Sequence, residues 1–327
     1  MVAVVIGLVI RNTLGLPEIF RLGVDFCVKK VLRAGIILMG IRLSVLELLK
    51  IGTAGLPIVL ICIAAGLTLT VYISGLTGLP RRLGVLIAVG TGICGASAIV
   101  ATAPGIEASD EETAYAISTI TVFGILAMLL YPFLTHLIFS GNQVMAGLLL
   151  GTSIHETAQV TGAGPIYDSQ FLPPSPTAAD VAIVVKLVRN ALMAIVIPAM
   201  ILFYTRQLAQ AEGSSGRRTS AGKLFPMFIV GFILMAGLRS LGDAGVQSTG
   251  TAFGKLSGEA WRGVYQGVTQ LAGHLLAIAM AGVGLGASYR GMRELGIRPF
   301  YVGLFAAALV GVVGTILVLA LGPSIQF

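Results

Sequence analysis

The chain has 327 residues, of which 56% are hydrophobic and 11% charged, and its mean hydropathy is +0.95. Soluble domains carry about 25% charged residues, so this composition excludes an ordinary soluble enzyme and indicates a helical protein that crosses a membrane many times. The formal net charge of +7 resides largely in loops between apolar runs, which is typical of membrane topology and not of nucleic-acid binding.

The apolar runs, taken in chain order, predict an all-α polytopic membrane protein with ten transmembrane helices. Turn signals bound these runs, among them Gly-Leu-Pro at 15–17, 55–57 and 78–80, because Gly and Pro interrupt helices. The predicted helices are 2–11, 22–43, 54–74, 82–104, 111–134, 142–160, 178–205, 223–240, 260–283 and 299–322.

Ten crossings divide into five plus five, and an odd number in each half gives the two halves opposite orientations. The sequence therefore predicts a single transmembrane transporter domain over 1–327, made of two inverted five-helix repeats, 1–140 and 141–327. The longest polar loop, 206–223, is basic and rich in Gly and Ser. This composition predicts a flexible cytoplasmic linker.

The stretch Gly90-Thr91-Gly92-Ile93-Cys94-Gly95-Ala96-Ser97 lies in the middle of the fourth run. Gly costs about 1 kcal/mol relative to Ala in a helix interior, so three glycines in six residues favour a break in the helix. Broken helices mark the substrate sites of many secondary transporters. The alternative is that small residues only let neighbouring helices pack closely. In the five-plus-five register this run corresponds to 260–283, where a second break is predicted near Gly273.

Few ionisable residues lie inside the predicted spans, and such residues are functional candidates. Most of them fall within about two helical turns of mid-span, level with the glycine break. Helical spacing predicts one shared face for the polar residues of the seventh run, and one for His155 and Gln159. The alternative is a buried polar network that only holds the helices together. The candidates are His155, Glu156 and Gln159 in the sixth run, Lys186, Arg189 and Asn190 in the seventh, and Gln270 and His274 in the ninth.

The charge balance of these residues favours an anion. One acid, Glu156, faces two bases, and a planar Arg fork with a Lys point charge suits an oxyanion such as phosphate or sulfate. We therefore predict coupling-proton or coupling-ion roles for His155, Glu156, Gln159 and His274. The predicted substrate-binding residues are Thr91, Gly92, Cys94, Gly95, Ser97, Lys186, Arg189, Asn190 and Gln270.

The segment His155-Glu156-Thr157-Ala158-Gln159 differs by one residue from H-E-x-x-H, the zinc protease motif. Zinc hydrolysis needs three protein ligands and an open position, and Gln is a poor zinc ligand. The remaining histidines of the chain are His136 and His274. An intramembrane metalloprotease is therefore the least favoured hypothesis, and the sequence predicts no enzyme activity, no metal and no cofactor.

Four motifs resemble those of the YeiH-like family of bacterial inner-membrane proteins, which is named for sulfate export. They are Gly-Ile-Arg-Leu-Ser at 40–44, Gly-Ile-Cys-Gly-Ala-Ser-Ala at 92–98, His-Glu-Thr-Ala-Gln-Val at 155–160 and Lys-Leu-Val-Arg at 186–189. The resemblance implies a fold similar to that of bile-acid:sodium symporters, with crossed broken helices, here 82–104 and 260–283. It also implies a further N-terminal helix, which would precede the first residue of this sequence.

The leading hypothesis is a secondary transporter that moves a small anion by alternating access, coupled to a proton or sodium gradient. Sulfate or a sulfonate-related oxyanion is the expected substrate. We expect a multi-pass protein of the bacterial inner membrane, alone or as a homo-oligomer, without a nucleic-acid partner. The rival hypothesis is a non-transporting membrane sensor or assembly factor whose polar network is structural.

Basic residues collect in alternate loops, and the positive-inside rule assigns the richer set of loops to the cytoplasm. We expect Arg217 and Lys223 to be cytoplasmic, and Glu111 and Lys255 to be outside. Single cysteines at these positions, in a background without native cysteines, are tested in intact cells with a membrane-impermeant thiol reagent. Labelling at 255 but not at 217 is expected. Labelling at 217 contradicts both this topology and the five-plus-five division.

Overall fold

The computed structural model describes residues 2–172, 174–212, 228–286 and 297–325, and most of them are helical. A π-helical turn, Cys27–Val31, joins α2 to α3, and short 3-10 turns follow α3, α6 and α14. Strands β1 (Thr251–Ala252) and β2 (Leu256–Ser257) pair antiparallel between α12 and α13. The α-helices are α1 (Val2–Thr13), α2 (Glu18–Phe26), α3 (Leu32–Met39), α4 (Val45–Leu76), α5 (Arg81–Gly92), α6 (Ala96–Thr102), α7 (Asp110–Ile138), α8 (Gln143–Ser153), α9 (Thr157–Phe171), α10 (Ala178–Ala191), α11 (Met193–Glu212), α12 (Phe228–Thr249), α13 (Gly258–Gly286) and α14 (Ile297–Leu321).

The length and apolar character of these helices identify a membrane protein. In the described part of the chain, five helical segments are long and apolar enough to cross a bilayer, and α10 with α11, bent by 44°, makes a sixth if the pair is one span. The runs 22–43, 82–104 and 142–160 are each divided into shorter helices, so ten uninterrupted spans are not seen among the described residues. The five segments are Val45–Leu76, Glu112–Ile138, Phe228–Thr249, Gly258–Gly286 and Arg298–Ser324.

Side-chain caps fix where α7 and α10 begin. Ser109 and Glu112 form a reciprocal capping box at the start of α7, and Thr177 and Asp180 form another at the start of α10. Each cap satisfies amides that the first turn of a helix leaves free, and a cap contributes about 1 kcal/mol. The register of α10, and with it the position of its cations, is therefore set by its cap.

One compact unit comprises the described residues 2–54 and 228–286. Within this unit α13 packs against α1 and α3, and α12 packs against α3. The second compact unit comprises the described residues 55–172, 174–212 and 297–325. Within it α10 packs against α8 and α9, α7 packs against α5 and α9, and α14 packs against α5, α7 and α8. α10 is buried along almost its whole length, so it forms the centre of the second unit.

In the first unit a polar network fixes α12 to the start of α13. The buried Trp261 donates from Nε1 to Asp243 Oδ1 at 2.8 Å, and Asp243 Oδ2 accepts from Arg239 Nε at 2.6 Å. The Arg239 guanidinium lies over the ring of Tyr265, 3.6 Å from its centroid. The Trp261 N–H and both carboxylate oxygens of Asp243 therefore have partners, as buried polar groups normally do.

The predicted break near Gly273 is wrong. α13 runs without interruption from Gly258 to Gly286, because one glycine costs a helix only about 1 kcal/mol. No atom beyond its own helix lies within 4 Å of the position that a β-carbon would take at Gly273. The run 260–283 therefore does not supply a second broken helix.

The compact units do not coincide with the predicted halves 1–140 and 141–327, whose inverted relation stays a prediction. The predicted linker 206–223 begins inside α11, which extends to Glu212. The rest of that linker, with Arg217 and Lys223, lies outside the described residues.

Gly242 of α12 lies so close to Trp261 that a β-carbon there would overlap the indole ring. We expect Gly242→Ala to lower the free energy of unfolding by about 1–3 kcal/mol, the usual cost of overpacking. Gly237→Ala, on the same helix but with open space around the added methyl, is the matched control and should raise stability by up to about 1 kcal/mol. Thermal unfolding of the purified variants measures both. Equal melting temperatures contradict the close packing of Trp261 on α12.

Candidate functional site

The chain leaves the helical conformation between α5 and α6, at residues 93–95. Gly95 has a φ of 72°, a left-handed conformation that glycine adopts at little cost and other residues avoid. The break predicted at Gly92–Gly95 in the run 82–104 is confirmed.

A second break separates α8 from α9, at residues 154–156. The sequence interpretation treated 142–160 as one helix, because no Gly or Pro occupies this point. α9 begins only at Thr157, so His155 lies in the break and does not share a helical face with Gln159. That prediction is wrong, and with it goes the helical spacing that H-E-x-x-H chemistry needs.

The residues around the two breaks follow one pattern, in which equivalent positions are 61 residues apart. Gly-Thr-x-Ile begins at Gly90 and again at Gly151, and a proline follows at Pro104 and again at Pro165. The helix ends obey the same offset, because α5 and α8 end at 92 and 153 while α6 and α9 begin at 96 and 157. The second break is therefore a counterpart of the first in both sequence and structure.

A broken helix leaves its last carbonyls without intrahelical partners. At the end of α5 the carbonyls of Val89 and Gly90 accept from Ile93 and Gly95 N–H, at 3.0 and 2.9 Å. The next carbonyls, 91–93, need donors from another element. In an apolar interior an unpaired carbonyl costs several kcal/mol, so these donors decide whether the break is stable.

Lys186 of α10 supplies donors to both breaks. Its Nζ donates to the carbonyl oxygens of Ile93 at 3.1 Å, Ile154 at 2.8 Å and His155 at 2.5 Å. The side chain is completely buried. An ammonium group has three donors, so Lys186 uses all of them on the backbone.

Arg189, one turn further along α10, does the same with its guanidinium group. Nε donates to Gly92 O at 2.9 Å and Nη2 to Thr91 O, while Nη1 donates to Thr152 O at 2.6 Å and Ile154 O at 3.2 Å. Thr91 and Thr152 are equivalent positions of the repeated pattern. The guanidinium therefore binds matching carbonyls at two helix C-termini, whose partial negative charge favours a cation.

Neither cation forms an ion pair with an acid in the described part of the chain, where no carboxylate lies within 4.0 Å of the Lys186 or Arg189 nitrogens. The direct charge balance expected from Glu156 is therefore absent among the described residues. Backbone carbonyl oxygens are the direct partners of the two cations instead, because the ends of two helices bring these oxygens within hydrogen-bond distance of the Lys186 and Arg189 nitrogens.

Glu156 is held against the first break. Its Oε1 accepts from Ala96 N–H and from Thr121 Oγ1, each at 3.4 Å. A β-carbon at Gly95 would overlap the Glu156 side chain, so the glycine provides the space for this carboxyl group. Gly95 and Glu156 are equivalent positions of the repeated pattern, and they contact each other. Only one copy of the pattern carries the acid.

Gln159 positions the segment that bears Glu156. Its Oε1 accepts from Glu156 N–H at 3.0 Å, and its Nε2 donates to the carbonyl oxygen of Thr121 at 3.3 Å. Gln159 is completely buried. Its side chain therefore ties the start of α9 to α7, and the role predicted for it in coupling stays a prediction.

The cluster has an accessible edge. Ser97 is exposed, and Ala96, Glu156 and Thr157 are half-buried, whereas Lys186 and Arg189 are 0% and 1% exposed. A molecule that reaches this edge meets the carboxyl group and hydroxyl groups first. Such a molecule interacts with the two cations electrostatically at a distance, because their ammonium and guanidinium groups are buried and not open to direct contact.

Several buried polar atoms beside the breaks have no hydrogen-bond partner among the described residues. They are Thr91 Oγ1, both ring nitrogens of His155 and Asn190 Oδ1. The Asn190 amide nitrogen donates to Thr157 Oγ1 at 2.9 Å. Polar groups of this kind add hydrogen-bonding capacity to the breaks beyond the bonds made by Lys186 and Arg189.

The remaining predicted residues are placed as follows. Cys94 Sγ lies 3.2 Å from Met193 Sδ in a buried contact, which packing explains. Gln270 and His274 lie exposed on α13, in the first compact unit, and their roles stay predictions.

The sequence interpretation missed Thr121 and Thr157, which bind Glu156 and Asn190. The signal that could have revealed Thr157 is the 61-residue repeat, because it marks residue 157 as the start of a half-helix. Thr121 has no comparable signal, since a threonine in an apolar helix usually bonds its own backbone.

Residues 1–303 match the family model described as "Conserved hypothetical protein 698". The chain belongs to this family. Its curated relatives are named UPF0324 membrane proteins, and the predicted family resemblance is confirmed. One from Bacillus cereus is 35% identical over 326 residues, covering 98% of this chain and 86% of the relative. One from Pseudomonas aeruginosa is 34% identical over 321 residues, covering 94% and 82%. One from Bacteroides thetaiotaomicron is 31% identical over 334 residues, covering 100% and 90%. No solved structure matches the chain.

Arg189→Lys tests whether this side chain holds the helix ends. Lysine keeps the charge but loses the fork, and each buried carbonyl left without a donor costs about 1–3 kcal/mol, so we expect a clearly lower melting temperature. Arg81→Lys, at an exposed position in the first turn of α5, is the matched control and should melt like the parent. A melting temperature of Arg189→Lys equal to that of the parent contradicts the capping role. It would mean that the Arg189 guanidinium of the parent is not needed to hold the helix ends and is available to another ligand.

Proposed function

We propose that this protein is a secondary transporter of a small anion, such as sulfate or a sulfonate-related oxyanion, in the bacterial inner membrane. The observation that carries the proposal is the pair of helix breaks around two buried cations, with one acid at the accessible edge. Broken helices inside an apolar bundle are typical of substrate sites in secondary transporters. Ionisable residues buried in membrane proteins mark pathways of ions and substrates.

In this proposal Lys186 and Arg189 act on the anion mainly through their field. Their donors point to backbone carbonyls, so they hold the breaks together and also make the interior positive. Direct hydrogen bonds to the anion come from groups at the edge, such as the Ser97 and Thr157 hydroxyls. Charges in a low-dielectric interior act over longer distances than in water, so direct contact is not required.

Glu156 is the proposed coupling group. It is the acid next to the cations, and it reaches the accessible edge. A proton on Glu156 changes the charge of the site by one unit, which links anion binding to a proton gradient. A coupling cation such as sodium would act on the same carboxyl group.

The rival hypothesis is a membrane sensor or assembly factor in which the same network is purely structural. The capping role of Lys186 and Arg189 is the specific observation that favours this rival. The metalloprotease hypothesis is weakened by the break at His155, which removes the helical pairing with Gln159. Ten crossings in two inverted repeats, and a homo-oligomeric state, stay predictions that the proposal does not need.

Anion flux separates transport from the rival hypothesis. Purified protein in liposomes is tested for uptake of labelled sulfate and methanesulfonate under imposed pH and sodium gradients. Transport predicts uptake of at least one of these anions above that of protein-free liposomes, and a dependence of sulfate uptake on an imposed gradient. Glu156→Gln keeps the shape of the side chain but cannot ionise, so it should fold and bind anions while losing the gradient dependence.

Glu259→Gln, which changes an exposed acid at the start of α13, is the control and should transport like the parent. Well-folded protein that carries no anion under any gradient supports the sensor or assembly factor instead.

A further inference from the structure

Lys186 and Arg189 bring two full positive charges into the interior of the second unit. Three carbonyl oxygens lie within 3.1 Å of Lys186 Nζ. A neutral amine has only two N–H donors, whereas an ammonium has three, so this set of acceptors fits the charged form. A guanidinium stays charged in proteins.

The two breaks add little net charge of their own. Each break places the negative C-terminus of one helix, α5 or α8, beside the positive N-terminus of the next, α6 or α9, and each end carries about half a charge. These opposite ends cancel to first order. The carbonyls therefore orient the two cations without neutralising them.

Among the described residues, Glu156 is the acid that lies beside this cluster, and when ionised it offsets one of the two positive charges without pairing directly with either cation. Among the described residues, the cation that faces it is Lys186 on α10, with Arg189 one turn further along the same helix, and the titratable groups in the breaks are Cys94 and the adjacent His155. α7 faces it with the Thr121 hydroxyl and α6 with the Ala96 amide. Thiols stay largely neutral up to about pH 8. His155, which is 1% exposed and lies near two cations, is counted as neutral throughout, because a third buried positive charge there would be costly. The site then carries one positive charge when Glu156 is ionised and two when Glu156 is protonated.

We propose that the protonation state of Glu156 selects the charge of the anion. The ionised site accepts a monoanion, and a dianion such as sulfate binds only together with a proton on Glu156. Unbalanced charge in a low-dielectric interior is costly, so the stable loaded state is the one whose charges sum to zero. This inference rests on the proposed anion transport and adds to it the charge class of the substrate and a stoichiometry. Sulfate moves with one proton, and a sulfonate moves without one.

Sulfate and methanesulfonate, used at equal ionic strength, separate charge from shape. Their affinities are measured from the thermal stabilisation of the purified protein, because a ligand of the folded state raises its stability. The measurements run from about pH 5 to about pH 8, where a carboxyl group in a protein interior can titrate. Binding of sulfate takes up a proton, so its affinity should rise as the pH falls, by up to about tenfold per pH unit. Methanesulfonate affinity should stay constant or weaken.

Glu156→Gln fixes the side chain in an uncharged form. Its sulfate affinity should be independent of pH and should match that of the parent at low pH. Glu259→Gln should keep the pH dependence of the parent. The comparison of the two probes on the parent protein stands even if Glu156→Gln does not fold.

Two results overturn the inference while anion transport stands. One is sulfate binding by the parent that does not change with pH, and the other is methanesulfonate binding with the same pH slope as sulfate. If sulfate and methanesulfonate both fail to stabilise the protein at every pH, and both fail to enter the liposomes, the proposed function is wrong. The inference, which rests on it, is then wrong as well.

Discussion

Backbone carbonyls freed by a break in an apolar interior must find donors, and this requirement shapes the whole site. Two breaks leave carbonyls that water cannot serve, and Lys186 and Arg189 serve both from one helix. The burial of α10 follows, because its cations must reach the ends of α5 and α8 together. The position of Glu156 follows as well, since the equivalent position of the other copy, Gly95, leaves room for its side chain.

The same cations can be structural and functional at once. A charge whose donors bind backbone carbonyls still sets the electrostatic potential around it, so the capping of helix ends and the attraction of an anion do not compete. The question that divides transporter from sensor is therefore not whether Lys186 and Arg189 support the fold. It is whether an anion binds in the positive interior that they create and is then released on the other side of the membrane.

The first break could be predicted from sequence because its cause is local, three glycines of which Gly95 needs a positive φ. The second break has no local cause at Ile154 and His155, whose carbonyls depend on donors from α10. Only its correspondence with the first break, 61 residues earlier, marks it in the sequence. At Gly273 the sequence predicted a break that the structure does not have, since one glycine costs a long helix little stability. Lys186 and Arg189 stood out as rare charges in apolar runs, but their partners are carbonyls, which every residue has and no motif distinguishes.

Seven hydrogen bonds run from Lys186 and Arg189 to the two breaks. A motion that pulled one break away from the other would have to disrupt several of them together, in surroundings that offer no replacement donors. α10 and both breaks therefore behave as one rigid body. A conformational change of the second unit is therefore expected to carry this body as a whole, and not to separate the two breaks from α10.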